Sequence, residues 1–238
     1  MPEASSSFKP SGLSRRTFLT HTGVAAASLA LLAACSDPEK PVAGPPTLLF
    51  TSGDEGLLNY LHLLERFSTE FYAKVLAAPP GDLTAADLAV LRDINRHNII
   101  HRELLPLAMS ANSLTPTGGI SGQAFDYSVS YTLTTRTGVL TAAQAIGDLT
   151  VAAYCGAARL LTSAVLLRLF VKMMAVKARH AAAVRDLRTP GSFAAADVVA
   201  QTGADAGLNQ ALTPTEVLAE LSKYTSPVQL LVGSLPTN

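Results

Sequence analysis

Glu65, His101 and His180 supply one carboxylate and two imidazoles, the ligand types of many non-haem iron sites with open positions. Each histidine follows a polar residue by three positions, as Asn98-x-x-His101 and Lys177-x-x-His180. On a helix that spacing brings both side chains to one face. A two-metal centre in a helical bundle uses a similar pattern: one Glu on each of two helices and Glu-x-x-His on the other two, all projecting inward. These residues therefore raise a metal chemistry, and the elements that carry them decide how far it can go.

Four long helical segments are expected, over residues 54–77, 84–111, 137–160 and 162–187. Pro79-Pro80-Gly81 stops the first. The pattern Thr84-Ala85-Ala86-Asp87 opens the second as a capping box, and Pro106 should kink it. Read at steps of three and four, the stripes are Leu58, Leu61, Glu65, Ser68, Tyr72, Val75; Leu91, Ile94, Asn98, His101, Leu105, Ala108; Leu140, Ala143, Gly147, Thr150, Tyr154, Ala157; and Leu166, Phe170, Met173, Lys177, His180, Val184. All four are apolar at their ends and polar or empty at their centres, which predicts one shared layer across a bundle. His62 and His97 fall off the stripes and read as surface or boundary residues, and Glu70 and Lys74 as an i,i+4 pair.

Residues 113–135 lack helical periodicity and are rich in Ser, Thr, Gly and Tyr. A connection of that length predicts a crossover between two antiparallel hairpins. The fold class is therefore all-α, a four-helix bundle over 54–189 with one long crossover between helices 2 and 3. A C-terminal extension, 190–238, should pack on it. Thr213 and Pro214 open a short helix there, and Val198, Val199, Leu218, Leu221, Leu230 and Leu231 need burial.

The first 35 residues read as an address. Ser14-Arg15-Arg16-Thr17-Phe18-Leu19 is a twin-arginine export signal, and the apolar run after it is too short to span a bilayer. Leu32-Ala33-Ala34-Cys35 is similar to a lipoprotein cleavage box, with Cys35 as the lipidation site. Residues 36–53, with four prolines, read as a tether. The expected location is the cell envelope, periplasm-facing, with the membrane as a partner through the lipid. Equal numbers of basic and acidic side chains, 18 each, argue against nucleic acid. A protein partner or a second copy stays unspecified. Cys155, in a run of small residues, reads as a packed thiol.

The chain resembles the exported bacterial ferritin-like proteins related to desiccation-associated proteins. The resemblance runs from Gly56 to Pro236, through Leu57-Leu58-Asn59-Tyr60, Leu64-Glu65, Glu70-Phe71-Tyr72, His101-Arg102-Glu103-Leu104 and Phe125-Asp126-Tyr127. It continues in Ala152-Ala153-Tyr154-Cys155-Gly156-Ala157-Ala158, Ala178-Arg179-His180-Ala181-Ala182 and Leu212-Thr213-Pro214-Thr215-Glu216-Val217-Leu218. It implies a ferritin-like bundle with a di-metal layer, and there the sequence departs. The two Glu-x-x-His motifs read Asn98 to His101 and Lys177 to His180, and the third-helix Glu falls on Gly147.

Two divalent ions need several anionic oxygens, and one carboxylate opposed by an ammonium does not supply them. The favoured expectation is a degenerate site with no cofactor and no catalytic residue. In it Glu65, Asn98 and Lys177 form a polar core layer, and the chain is a scaffold or binding module. Glu65 and Lys177 should pair as neighbours on the first and fourth helices, with Asn98, His101, His180 and Thr150 as available partners. The alternative is a single iron or manganese ion on Glu65, His101 and His180, serving a mononuclear metal-binding protein or oxidoreductase. Lys177 would then swing aside, and Asp148 could add a ligand.

Overall fold

A computed structural model describes residues 44–109 and 122–236. The export signal, Cys35, residues 36–43 of the tether and the first part of the crossover lie outside the described residues. Four long helices dominate: α1 Gly53–Ala77, α2 Ala85–Ala108, α3 Arg136–Ala158 and α4 Ala164–Arg188. Their starts follow local chemistry. Ser52 takes the N-cap position of α1, with Asp54 and Glu55 in its first turn. Thr84 and Asp87 form a reciprocal capping box on α2. The hydroxyls of Thr135 and Ser163 accept from the Gly138 and Leu166 amides to cap α3 and α4. Asp54 also accepts from the Thr162 and Ser163 amides at 2.8 Å, which ties the start of α1 to the α3–α4 turn.

Pro106 lies inside α2, close to its end. The helix stops two residues later, at Ala108, because proline removes an N–H from the ladder and crowds the preceding turn. The described part of the crossover carries a short 3-10 turn at Tyr127–Val129. Tyr127 is buried there, stacked on Phe67, and donates to the Phe67 carbonyl at 2.7 Å. Glu70 pairs with Arg66, not Lys74. Arg66 also donates to the Gln123 carbonyl at 2.8 Å, and so holds the crossover to α1.

The helices pack as two hairpins, α1 with α2 and α3 with α4, laid so that α1 meets α3 and α2 meets α4. Helices α1 and α4 therefore face each other across the diagonal, which corrects their expected adjacency. α1 is buried almost all round, including Leu57, Leu61, Leu64, Phe67 and Phe71. It faces the other helices on one side, and the crossover and C-terminal extension on the other.

The extension contains α5, Pro214–Leu221, with Pro214 in its first turn and a capping box between Thr213 and Glu216. Leu218 and Leu221 are buried, Val198 and Val199 half-buried, and Leu231 exposed. The tether reading of 36–53 is corrected at its C-terminal end. Strand β1, Thr47–Leu49, pairs in parallel with β2, Gln229–Leu231, setting Leu48 opposite Leu230. Leu48 and Phe50 alternate inward and are each 2% exposed, so a short period-2 run was concealed among prolines. This two-stranded ribbon is a small addition to an all-α bundle.

A candidate functional site: the polar layer at the centre of the bundle

One side chain from each long helix meets at mid-height. Lys177 of α4 donates from Nζ to Glu65 Oε2 of α1 at 2.5 Å and to Asn98 Oδ1 of α2 at 2.8 Å. Tyr154 of α3 donates to Glu65 Oε1 at 2.6 Å. The Asn98 amide nitrogen then donates to Ser68 Oγ at 3.0 Å. Glu65, Asn98 and Lys177 are all buried, and each has the partners a buried polar group needs. Thr150 does not join them, because its hydroxyl returns to the Ile146 carbonyl at 2.7 Å. Gly147 borders a cavity of about 10 Å³ beside Lys177 and His180, the scale of one water position.

Burial sets the electrostatics. Desolvation pulls the Lys177 ammonium below its usual range, and the Glu65 carboxylate opposes that pull. Burial and the adjacent carboxylate push the Tyr154 hydroxyl well up, so it stays a donor. His101 is buried, with Nδ1 at 3.8 Å from Glu65 Oε1, too far for a hydrogen bond. Burial, followed by the charge on Lys177, lowers its pKa to about 4. His180 falls to about 3 for the same reasons. Its Nε2 lies 2.9 Å from Nδ1 of His97, with the two rings nearly parallel at 4°.

His97 is the residue that stripe reading missed. It is exposed, as expected of a boundary residue, yet it captures His180. The signal available was its i,i+4 spacing to His101 on α2.

Residues 53–190 match the ferritin-like domain, a stretch longer than half the chain that holds all four long helices. The chain belongs to the ferritin-like domain family. A comparison with characterised proteins gives no match.

The di-metal chemistry of ferritin-like bundles asks for carboxylates at four inward positions, and this ferritin-like chain keeps one. Both Glu65 oxygens are engaged, one by the Lys177 cation itself, and a bound cation would face that ammonium directly. Among the described residues no group of three or more His, Cys, Asp or Glu side chains could hold a metal ion. The residues present do not fit the pair of ions. Nor are Glu65, His101 and His180 gathered as a ligand set, since His180 turns to His97. Asp148 is drawn off as well. It takes Arg185 as a partner, with nitrogen–oxygen distances of 3.0, 3.0 and 2.7 Å. Cys155 has its thiol 3.5 Å from the Met174 sulfur, and burial pushes its pKa up.

Proposed function

We propose that the chain is an exported ferritin-like protein, of the desiccation-related kind, in which a protein-only polar layer replaces the metal layer. It serves as a non-catalytic scaffold or binding module at the cell envelope, held through lipid on Cys35. The observation that carries this reading is the neutralisation of Glu65 within the protein: the Lys177 ammonium sits on one oxygen and the Tyr154 hydroxyl on the other. A buried carboxylate whose charge is already met by an ammonium, with no second carboxylate beside it, cannot balance a divalent ion.

The deciding measurement is metal content of the mature protein purified from cells grown with iron and manganese. Substoichiometric metal is expected. About one ion per chain would support the mononuclear alternative, and about two would restore the dinuclear one; either result overturns the proposal. Export and anchoring are tested by fractionation. Full-length protein should sediment with membranes, and Cys35→Ala should move it to the soluble fraction. Unlipidated, soluble wild type would remove the anchor from the proposal.

A further inference from the structure

A cavity of about 440 Å³ lies between α3, α4 and the extension, with none of Glu65, Asn98 and Lys177 in its wall. Its floor is built from small residues. Ala152 of α3 and Ala178, Ala181 and Ala182 of α4 leave the space that larger side chains would fill. Its roof is the segment 193–212, which brings Val198 and Val199 over that floor. Phe67, Tyr131 and Tyr224 close one end.

The roof is held off the helices, so the space does not collapse. Within it, Val199 bridges Asn209, the Gln210 amide donates to the Val198 carbonyl at 2.9 Å, and the Gly207 amide donates to the Ala200 carbonyl at 2.8 Å. At one end the Leu212 amide donates to the Ala152 carbonyl at 3.1 Å. At the other, Arg185 links α4 to Asp197 of the roof at 2.6 and 3.0 Å. An apolar volume held open forfeits packing contacts that a ligand of matching shape would restore. An apolar cavity of about 150 Å³ already takes a benzene ring, so this one has space for a molecule of roughly two or three rings.

The polar groups in the wall specify charge. Arg185 is its buried cation, and each of its three nitrogens donates to Asp148 or Asp197. The Tyr131 and Tyr224 hydroxyls bond each other at 3.1 Å. Glu220 is paired with Lys223 at 2.5 Å. Among the described residues that line the cavity no cation is left to receive an acid headgroup, and their surplus charge is negative. We propose that this cavity binds an uncharged, apolar small molecule. The inference gives the binding-module reading its ligand class and rests on it, but not on the state of the polar layer.

The probe is N-phenyl-1-naphthylamine, a neutral dye of two ring systems, titrated by fluorescence into the full-length folded protein. About one dye per chain is expected. The anionic anilinonaphthalene sulfonate should bind roughly tenfold or more weakly, because its sulfonate would be desolvated without a partner. Ala182→Phe fills the cavity from the floor and Val199→Phe from the roof. Whichever variant keeps wild-type circular dichroism should lose the neutral dye. In the wild type the same dye should raise the melting temperature. Absence of binding, equal binding of the anion, or undiminished binding by a folded variant overturns the inference. Dye failure with metal-free protein leaves the scaffold reading standing, whereas dye binding by a metal-loaded protein separates the two in the other direction.

Discussion

Lys177 and Glu65 meet across the diagonal of the bundle, on helices whose main packing partners are the other two, with 2.5 Å between Nζ and Oε2. The bond therefore crosses the shared core. It connects the two hairpins through their centre, where relatives with carboxylate-rich layers would set cations. One ammonium on a long flexible stem supplies the positive charge, and Asn98 and Tyr154 orient what the charges leave unsatisfied.

Removing one member of a buried pair strands the other. Lys177→Ala should destabilise the fold by about 3–5 kcal/mol, read from urea denaturation at neutral pH. The double change Glu65→Leu with Lys177→Met should cost less than the sum of the single changes. Strict additivity would show that the two charges do not stabilise each other.

The missing carboxylates can be put back. A Cβ added at Gly147 would meet Ala181 at 3.5 Å, ordinary contact distance, and truncating Lys177 enlarges the adjoining space. The triple variant Asn98→Glu, Gly147→Glu, Lys177→Glu should bind cobalt or iron and should melt higher with metal than without. A folded triple variant with no metal-dependent shift would mean that the helices no longer hold ligand geometry.

Three histidines make stability depend on pH. Burial lowers the pKa of His62 to about 4, helped by Arg66 and Arg102 and opposed by Glu103. His101, facing Lys177, His97 and Glu65, falls to about 4. His180, facing Lys177, His97, His101 and Arg179, falls to about 3. In the unfolded chain each takes up its proton near 6.5. The unfolded state thus binds more protons in between, so stability is complete above about pH 6.5 and declines as pH falls toward 4. The urea midpoint should be flat from about pH 7 to 8.5 and drop between about 6.5 and 4.5. His101→Asn should make that drop shallower.

At Gly156 the extension lies directly against α3. A Cβ there would lie 1.9 Å from the Leu212 carbonyl oxygen, next to the bond from the Leu212 amide to Ala152. Gly156→Ala must displace the extension. It should raise proteolysis between residues 193 and 212 while the four long helices keep their circular dichroism signal. An unchanged cleavage pattern would mean that the extension is held elsewhere.

Phe50 tests the N-terminal ribbon. It is buried and meets Tyr60 edge-on at 6.3 Å, so Phe50→Ala should cost about 3–5 kcal/mol. A change below about 1 kcal/mol would return residues 47–53 to the tether.

The sequence by itself determined the helices and the height of the polar layer. Pro79-Pro80, Pro106 and the caps at Thr84 and Ser163 act within a few residues, and the apolar stripes of α1 to α4 follow from helical periodicity alone. It also identified Glu65, Asn98 and Lys177 as one layer, because each interrupts an apolar stripe at its centre. What required tertiary structure was the choice of partner for the residues around that layer. Asp148, one residue past the ligand position at Gly147, went to Arg185, whose guanidinium is held between Asp148 and Asp197. His180 had a ligand's spacing and went to His97, which lies on the margin of another helix. Leu48 found its mate at Leu230, on the far side of the whole bundle in sequence. Periodicity states which face a residue occupies; only the packing of the faces decides what it meets.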